Sequence, residues 1–563
     1  MSTLTSVDTR VREVKRRLAQ EQGAVVKDWG GRVPVAVIYP NSYYIGMSNL
    51  GLQTIYGLLN ADGRFVAERV FFEEPGARNV RVPLPPVGLE SQRPLSDYAV
   101  LAFSISYEMD FANTVRTIKA AGIPLYACDR GDGDPLVIFG GACAITNPEP
   151  VAPFFDAIAI GEGETILPAM LDIIRDGVGG PRLDMLRALA KTPGVYVPVL
   201  HRDPERVARQ YVLKMDDYAT TTQVLTPETH LSNMYIMEVA RGCGRGCRFC
   251  IAGYVFRPFR PRQLASLQAQ AERGLHMTNK IGLLGAGVGD YVQLDELVQW
   301  LHRKGAQVSI SSLRIDNLTD AILSGLDKGG VRNVTVAPEA GSERMRRFVN
   351  KALTEDQILS GVERVARFGI RQMKFYYMIG IPTETDEDAQ AIVDLTLKGK
   401  ALVEKVKAPT RFVLDISPFV PKPGTAFQWL PMARPEVSTR RLELIARQLR
   451  PKGVEVKWDP PEESEIQTLL SRGGRELAPV IAAVPGNSTS QWRRTLREAQ
   501  VDVDTYVYKP YALGGPLPWN VVDTGLDDRF FRLELRKSYE DRLSKGCPTD
   551  PVNAKPCHLC GVC

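Results

Sequence analysis

The sequence of 563 residues contains no run of eighteen apolar residues, so it has no candidate for a transmembrane helix. Its first 22 residues are charged and lack the apolar stretch of a signal peptide, so we expect a cytoplasmic protein. Histidine is scarce, with five residues, and none lies within residues 32–200. No charge sign dominates either, since the net charge is only +5. Such a small excess of positive charge neither requires nor excludes a nucleic-acid partner.

Cysteine is also rare, with nine residues, but seven of them lie in two tight groups. The first group is Cys243, Cys247 and Cys250, and the second is Cys547, Cys557, Cys560 and Cys563. Closely spaced thiols in a large chain with few other cysteines indicate metal ligands rather than a disulfide framework. We expect the remaining Cys128 and Cys143 to be ordinary core or loop residues.

The chain between residues 32 and 200 alternates short apolar runs with segments of helical period. Apolar runs at 33–39, 98–105, 135–139 and 157–160 are predicted strands, and the alternation predicts a doubly wound (Rossmann-like) parallel sheet. Ligands bind at the carboxyl ends of strands in such sheets, so the loops there should line a pocket, unless they are only turns. The candidate pocket residues are Asn41, Ser42, Tyr43, Ser104, Ser106, Gly140, Gly141, Gly161 and Glu162.

The first cysteine group has C-x3-C-x2-C spacing in a loop rich in arginine and glycine, directly after a predicted strand at 235–239. Three thiolates are one fewer than an all-protein [4Fe–4S] cluster takes, so one iron would stay open for a substrate or cofactor. The alternative is a zinc site completed by a distant histidine. Zinc sites usually pair two such hooks, however, and no second hook lies nearby.

Further predicted strands at 281–284, 308–310, 334–336, 374–379 and 411–416 alternate with helical stretches. This pattern predicts a partial (β/α)6 barrel, with its active site at the carboxyl ends of the strands. The expected organisation is a helical segment (1–31), a doubly wound domain (32–200), a connector (201–232), the barrel (233–430) and a smaller α+β domain with the cysteine-rich tail (431–563).

The tail has C-x9-C-x2-C-x2-C spacing, and its last three cysteines are spaced as in ferredoxin cluster loops. With Cys547 as a fourth ligand, a second [4Fe–4S] cluster would be closed. Without Cys547, one of its irons would be open. Zinc bound by four cysteines, or by three with His558, is the alternative.

The cysteine loop, with Phe249 just before Cys250, resembles the signature loop of the radical S-adenosylmethionine (SAM) superfamily. Residues 32–200 resemble the cobalamin-binding domain that precedes many radical SAM domains, and the whole chain resembles a bacterial family with both parts and a cysteine-rich tail. One departure concerns the loop that often supplies a histidine to cobalt: residues 41–46 read Asn-Ser-Tyr-Tyr-Ile-Gly. Either cobalamin binds without a protein imidazole, or the fold is kept without the cofactor.

The resemblance also implies SAM contacts at the carboxyl ends of the barrel strands. The segment 285–290 would hold the methionine amino group, the strand around residue 309 the carboxylate or ribose, and the segment 377–383 the adenine. The implied SAM contacts are Phe249, Gly285, Gly287, Ser309, Ser311, Arg314, Glu339 and Gly380. The alternative is that Arg314 only pairs with Asp316 or Glu339 and that the glycines are turn residues.

The implied activity is reductive cleavage of SAM at the [4Fe–4S] cluster and functionalisation of an unactivated carbon, with a flavodoxin- or ferredoxin-type electron donor. The first expectation is a transferase that performs cobalamin-linked methyl transfer. The alternatives are cobalamin-independent sulfur insertion or carbon–carbon bond formation with a second cluster, and a non-enzymatic iron–sulfur scaffold or electron carrier. RNA is a candidate substrate because arginine-rich runs at 257–262 and 344–347 contain or adjoin phenylalanines, although a salt-bridged surface is the commoner explanation.

Overall fold

The computed structural model describes residues 2–73, 86–201, 205–310, 313–328, 332–548, 557 and 559–562, with residues 2–10 and 327–328 described by their backbone only. Three residues named above, Ser311, His558 and Cys563, lie outside the described residues. In the described part of the chain, no helix has both the length and the apolar character needed to cross a membrane.

The N-terminal sheet has six strands: β1 (Val33–Tyr39), β2 (Phe65–Phe71), β3 (Val100–Ser104), β4 (Leu136–Gly140), β5 (Ala157–Ala159) and β6 (Val195–Tyr196). Their order is β2-β1-β3-β4-β5-β6; the first five are parallel, and β6 is antiparallel to β5. The chain reverses its direction of travel across the sheet between β1 and β3, which is the topological switch point of a doubly wound fold. The predicted fold class of this region is therefore confirmed.

Helices cover both faces of this sheet: α1 (Ser2–Gln20), α2 (Tyr43–Gly46), α3 (Leu50–Ala61), α4 (Phe111–Ala120), α5 (Ala142–Thr146), α6 (Gly163–Gly177) and α7 (Arg182–Ala190). Alternate residues of β1 belong to different cores. Val35 and Val37 pack into the core that includes residues of α3 and α6, whereas Ala36 and Ile38 pack into the core on the α4 side. A strand buried on both faces reads as an unbroken apolar run, as β1 does.

The barrel region follows a short strand β7 (Val207–Ala208) in the connector. Its strands are β8 (Tyr235–Glu238), β9 (Ala240–Arg241), β10 (Arg260–Pro261), β11 (Lys280–Leu284), β12 (Gln307–Ile310), β13 (Asn333–Glu339), β14 (Gln372–Ile379), β15 (Arg411–Pro418) and β16 (Glu455–Trp458). They form parallel sheets in the orders β12-β11-β8 and β13-β14-β15-β16, while β9 and β10 pair antiparallel. The strand β16 lies within the range predicted for the C-terminal domain (431–563), but it pairs with β15 and extends the second sheet.

The barrel helices are α8 (Leu264–Leu275), α9 (Leu294–Arg303), α10 (Asp320–Lys328), α11 (Glu343–Phe348), α12 (Glu355–Arg367) and α13 (Asp386–Lys405). One continuous apolar core joins five of them, α8, α9, α10, α12 and α13, to the strands of both sheets. In β14, Phe375 and Tyr377 belong to this core, whereas Lys374 and Tyr376, which alternate with them, are more exposed. Alternation therefore leaves polar side chains on the strand face turned away from the helices.

The C-terminal elements are α14 (Pro435–Leu449), α15 (Pro461–Arg472), α16 (Ala478–Ala483), α17 (Thr489–Glu498), α18 (Val503–Val507), β17 (Val522–Asp523) and α19 (Asp528–Tyr539). Helices α15, α16 and α17 contribute to the same core as α4, and β17 pairs with β7. Phe530 and Phe531 of α19 pack instead with Tyr254 and Phe348 of the barrel region. The C-terminal segment thus contacts both preceding halves of the molecule.

Candidate functional site

The cysteine loop is held at its base by the antiparallel pairing of β9 with β10, in which Arg241 lies opposite Arg260. Gly242 begins the loop with a φ of +78°, and a Cβ there would lie 2.4 Å from the carbonyl oxygen of Phe256. Only glycine fits this close approach and this backbone conformation. The loop is therefore closed tightly between β9 and β10, directly before Cys243.

The three thiols of this loop are shielded from water: Cys247 is buried, and Cys243 and Cys250 are half-buried. Burial raises the pKa of all three, and for Cys250 burial together with the neighbouring Cys247 and Cys243 raises it to about 12. A bound cation offsets this effect, because metal ligation stabilises the thiolate. Three unpaired thiols that interact electrostatically are a donor set that fits an iron–sulfur cluster.

Each thiolate of such a cluster binds a different iron, so the three sulfurs need not converge on one point. Within the described ranges, no three His, Cys, Asp or Glu side chains are arranged to hold a single metal ion. Gly287 lies beside the first of these sulfurs, because a Cβ on Gly287 would stand 3.7 Å from the Cys243 sulfur. The residues at this site therefore fit a cluster with one open iron.

Cys247 has a buried ion pair beside it. The Lys351 ammonium lies 3.0 Å from a carboxylate oxygen of Glu339, and Lys351 is only 8% exposed. Burial alone would lower the pKa of Lys351, but Glu339 and Cys247 raise it overall. Sequence reasoning missed Lys351, although a single lysine between the apolar Val349 and Leu353 is a signal of a buried cation.

The glycine-rich segment after β11 is bonded to the cysteine loop. The Arg245 guanidinium donates to both carboxylate oxygens of Asp290, and Asn317 donates to the same carboxylate at 2.7 Å. A Cβ on Gly285 would lie 2.9 Å from the carbonyl oxygen of Ala240, so the segment runs against β9. The structure therefore brings the segment 285–290, predicted to bind SAM, into contact with the cysteine loop.

The other residues predicted to contact SAM lie in different environments. Arg314 forms a two-point ion pair with Asp316, at 2.8 and 2.9 Å, as the alternative interpretation expected. Ser309 is half-buried on β12, and Phe249 packs at the edge of the aromatic core. Gly380 has a φ of +76° and donates its N–H to Glu384 at 2.6 Å, so it is at least a turn residue.

A cavity of about 380 Å³ separates the N-terminal sheet from the barrel. On the sheet side it is lined by five of the nine predicted pocket residues: Ser104, Gly140, Gly141, Gly161 and Glu162. On the barrel side it is lined by Glu238, Arg241, Phe256 and Leu284. The cavity therefore lies at the carboxyl edge of the sheet and reaches to within two residues of Cys243.

Four predicted pocket residues do not line this cavity. The Ser42 hydroxyl accepts from the N–H of Ile45 and caps α2, and Asn41 donates to Asp110 at 2.8 Å. Tyr43 is buried and donates to Glu21 at 2.6 Å. Ser106 lies behind the cavity wall, where its hydroxyl accepts a hydrogen bond at 3.3 Å from Asn49, a residue that lines the cavity.

The two sides of the cavity are joined by a buried network of charges. Arg241 binds Glu162 and Glu164 of the N-terminal half, each at 2.8 Å, and Glu238 of the barrel at 2.9 Å. Arg260 adds a second ion pair to Glu162, at 2.7 Å. These ion pairs tie the loop after β5 to the base of the cysteine loop.

This network corrects the interpretation of the arginine-rich run at 257–262. Arg257, Arg260 and Arg262 are between 2% and 6% exposed, so they form neither a salt-bridged surface nor a cradle for RNA. Arg262 instead binds Glu238 and the carbonyls of 215 and 218. In the second run, Arg346 is also buried, where it donates to backbone carbonyls.

Two family profiles match the chain: "Radical SAM proteins, N-terminal" over residues 51–198 and "Radical SAM superfamily" over residues 237–396. A protein of Methanocaldococcus jannaschii, itself uncharacterised, is 31% identical over 449 residues, which are 79% of this chain and 89% of that protein. The chain belongs to the radical SAM superfamily. Members of this superfamily use SAM and a [4Fe–4S] cluster, so the expectation for these two cofactors is confirmed at the level of the family.

More distant relatives of this radical SAM protein match only part of it. A tRNA-2-methylthio-N(6)-dimethylallyladenosine synthase of a Ruegeria species is 26% identical over 42% of this chain and 55% of that enzyme. Among solved structures, the cobalamin-dependent SAM radical enzyme OxsB aligns with 91% of this chain and 84% of its own, at 11% identity and a TM-score of 0.46.

Proposed function

We propose that the protein is a radical SAM enzyme in which Cys243, Cys247 and Cys250 hold the [4Fe–4S] cluster, and that it performs cobalamin-linked methyl transfer. When bound, the cluster supplies the electron that cleaves SAM, and the corrinoid carries the methyl group. The observation that carries the proposal is the cavity between the sheet edge and the cysteine loop. A ligand held there would adjoin the site where SAM is cleaved.

Part of the wall of this cavity is apolar, as the flat face of a corrin ring requires. Val37, Ala102, Ile138 and Leu167 provide apolar surface, and Gly140 and Gly141 line the cavity without side chains. A Cβ on Gly140 would meet only the Cβ of Ala159, at 3.8 Å, so it would point into the cavity itself. None of the four histidines in the described part of the chain, His201, His230, His276 and His302, lines the cavity, so none of these four would supply an imidazole to the cobalt of a corrinoid bound here.

On the barrel side, the chain's own residues would bind and orient SAM. Lys351 and Glu339 offer a buried ammonium and carboxylate beside Cys247, which match the carboxylate and ammonium of a methionine group. Charge-assisted hydrogen bonds between such groups are stronger when water is excluded. We therefore assign Lys351 and Glu339 to SAM binding, together with the backbone of the segment 285–290.

The proposal is tested by titrating anaerobically reconstituted protein with hydroxocobalamin and recording the corrinoid absorbance that stays with the protein. We expect about one corrinoid per chain. Gly140→Leu should abolish this uptake by filling the cavity, whereas Gly133→Leu should not, because a side chain at Gly133 meets nothing within 4 Å. Failure of the wild-type protein to retain any corrinoid would contradict the methyl-transfer proposal.

A second candidate is a radical modification of RNA without cobalamin. It is favoured by the similarity to the Ruegeria enzyme, which is named as a tRNA-modifying synthase. It predicts that 5′-deoxyadenosine forms from SAM and dithionite, that formation rises when RNA is added, and that Gly140→Leu has no effect on it. Both candidates require SAM cleavage. Absence of 5′-deoxyadenosine from protein with a full complement of iron would instead support an electron carrier or scaffold.

A further inference from the structure

The tail is fastened to the cysteine loop before its own cysteines begin. Residues 541–547, here called the strap, follow α19 and run across the loop. Arg248, whose side chain is fully buried, donates to the carbonyl of Arg542 at 2.6 Å. Asn350 accepts from the N–H of Ser544 at 2.9 Å and donates to a carbonyl of the cysteine loop at 3.0 Å. Both residues thus join the strap to the loop.

The end of the strap touches the loop directly. The N–H of Cys547 donates to the carbonyl of Gly244 at 2.5 Å, so a cysteine of the tail lies against the residue that follows Cys243. The approach is so close that a Cβ on Gly546 would lie 2.0 Å from the Gly244 oxygen. Any larger residue at position 546 would push the strap off the loop.

A second tail cysteine, Cys560, is buried in the core that includes Tyr254, a residue between β9 and β10. Cys560 is 3% exposed and packs in the aromatic core with Tyr254 and Phe530, and its carbonyl accepts from the N–H of Asp527 at 2.9 Å. Cys557 is half-buried nearby in the sequence, and Leu559 is 68% exposed. The tail therefore has one side against the cysteine loop and another side open to solvent.

Arg257 lies between the two sets of thiols. One of its nitrogens lies 3.1 Å from the position that a Cβ on Gly246 of the loop would occupy. Its guanidinium stacks over the rings of Tyr254 and Phe530, at 5.3 and 5.0 Å from their centroids, and both rings belong to the same core as Cys560. Loop, cation and tail thiols thus form one contiguous cluster of groups.

We propose that Cys547 and Cys560 belong to an iron-binding thiolate site built against the loop of Cys243, Cys247 and Cys250, with Arg257 between the two sites. This inference rests on the proposed cluster at the loop. Its consequence would be electron entry: a tail site holding iron would accept one electron from a flavodoxin- or ferredoxin-type donor and pass one electron on to the loop site. The contact between Cys547 and Gly244 makes this the shortest route from the tail to the loop.

The site is tested first by the iron and sulfide content of anaerobically reconstituted full-length protein. We expect about eight irons per chain in the wild type and about four in Cys547→Ser/Cys560→Ser. Cys128→Ala is the control, because this exposed cysteine of the N-terminal half should leave the iron count unchanged. Zinc in the tail, or an unchanged iron count in the double variant, would overturn the inference.

The contact between the sites is tested by electron paramagnetic resonance of dithionite-reduced protein. Two paramagnetic centres in contact should give a spectrum broadened by their magnetic interaction. Gly546→Val keeps every cysteine but displaces the strap, so the broadening should be lost in this variant. A wild-type protein with two clusters and no magnetic interaction would contradict the proposed contact.

Arg257 is a positioning residue, and its role is tested by measuring the midpoint potential of the clusters. Arg257→Gln removes a buried positive charge, which should shift reduction to more negative potential, and Arg257→Lys should restore most of the shift. The two proposals fail separately. Loss of iron in Cys243→Ala but not in the tail variants would leave the proposed function standing and refute the tail site.

Discussion

Lys351 is the residue whose replacement tests the SAM site most directly, because its ammonium is buried beside both Glu339 and Cys247. Lys351→Met should raise the KM for SAM about ten- to a hundredfold, the range of one lost charge-assisted hydrogen bond. The measurement is the rate of 5′-deoxyadenosine formation against SAM concentration in protein with a full complement of iron. Lys351→Arg should recover part of the affinity, and Lys400→Met, on the outer helix α13, is the control.

An unaltered KM in Lys351→Met would show that the ammonium serves only to neutralise Glu339. In that case Lys351→Met should lower the thermal stability alone, because it leaves a carboxylate unpaired and largely buried. The pair of measurements therefore separates a binding role from a structural one.

Asp110 is a second residue with a measurable signature. Burial raises its pKa to about 7, despite the hydrogen bond from Asn41, and Glu108 adds to the effect. A carboxyl group whose pKa is higher in the folded than in the unfolded state stabilises the fold at low pH and loses that contribution as the pH rises through 7. The midpoint of thermal unfolding should therefore fall by several degrees between pH 5 and 8, and less so in Asp110→Asn.

Glu384, whose pKa burial also raises to about 7, contributes a fall of the same sign in both proteins. The difference between the two profiles thus isolates Asp110. Identical profiles would mean that Asp110 titrates near its ordinary pKa in the folded protein.

At the scale of elements, the hairpin β9–β10 connects the two halves through Arg241. Arg241→Met leaves Glu162, Glu164 and Glu238 without this partner, and breaking such a buried network costs about 3–5 kcal/mol. We expect faster amide hydrogen exchange both in the loop after β5 and in the cysteine loop. Arg494→Met on α17 is the control, since its ion pair with Glu498 is exposed. Exchange confined to the cysteine loop would contradict a coupling role.

Within the N-terminal sheet, the apolar strand β1 was predictable from the sequence, and the charged strand β2 was not. The prediction for β1 matches the structure residue for residue, because both of its faces are buried and its sequence is unbroken apolar. The neighbouring β2 was missed because it contains Glu68 and Arg69. These charges are buried with partners from elsewhere in the sequence, among them Trp29 for Glu68 and Glu21 for Arg69.

At the candidate site, too, the sequence predicts local patterns but not contacts between distant segments. The spacing of Cys243, Cys247 and Cys250 is local, so the sequence alone was enough to predict a metal site there, which stays a prediction. The arginines at 257–262 have a local pattern that suggests a surface, but their partners, such as Glu162 for Arg260, come from distant segments. The contact of the tail with the loop joins residues some three hundred positions apart, and no local pattern encodes it.

At the scale of the whole molecule, the cavity belongs to neither half alone, so a bound ligand should stabilise both. A ligand that binds only the folded state raises the unfolding midpoint with its concentration. We expect hydroxocobalamin to raise the midpoint and to slow hydrogen exchange in two separate segments, 159–164 on the sheet side and 236–241 on the barrel side. In Gly140→Leu both effects should vanish together, while Gly133→Leu should behave as the wild type. Protection of the sheet side alone would mean that the ligand binds an N-terminal pocket without contacting the barrel, and the proposed delivery of a methyl group toward the cysteine loop would then lack its structural basis.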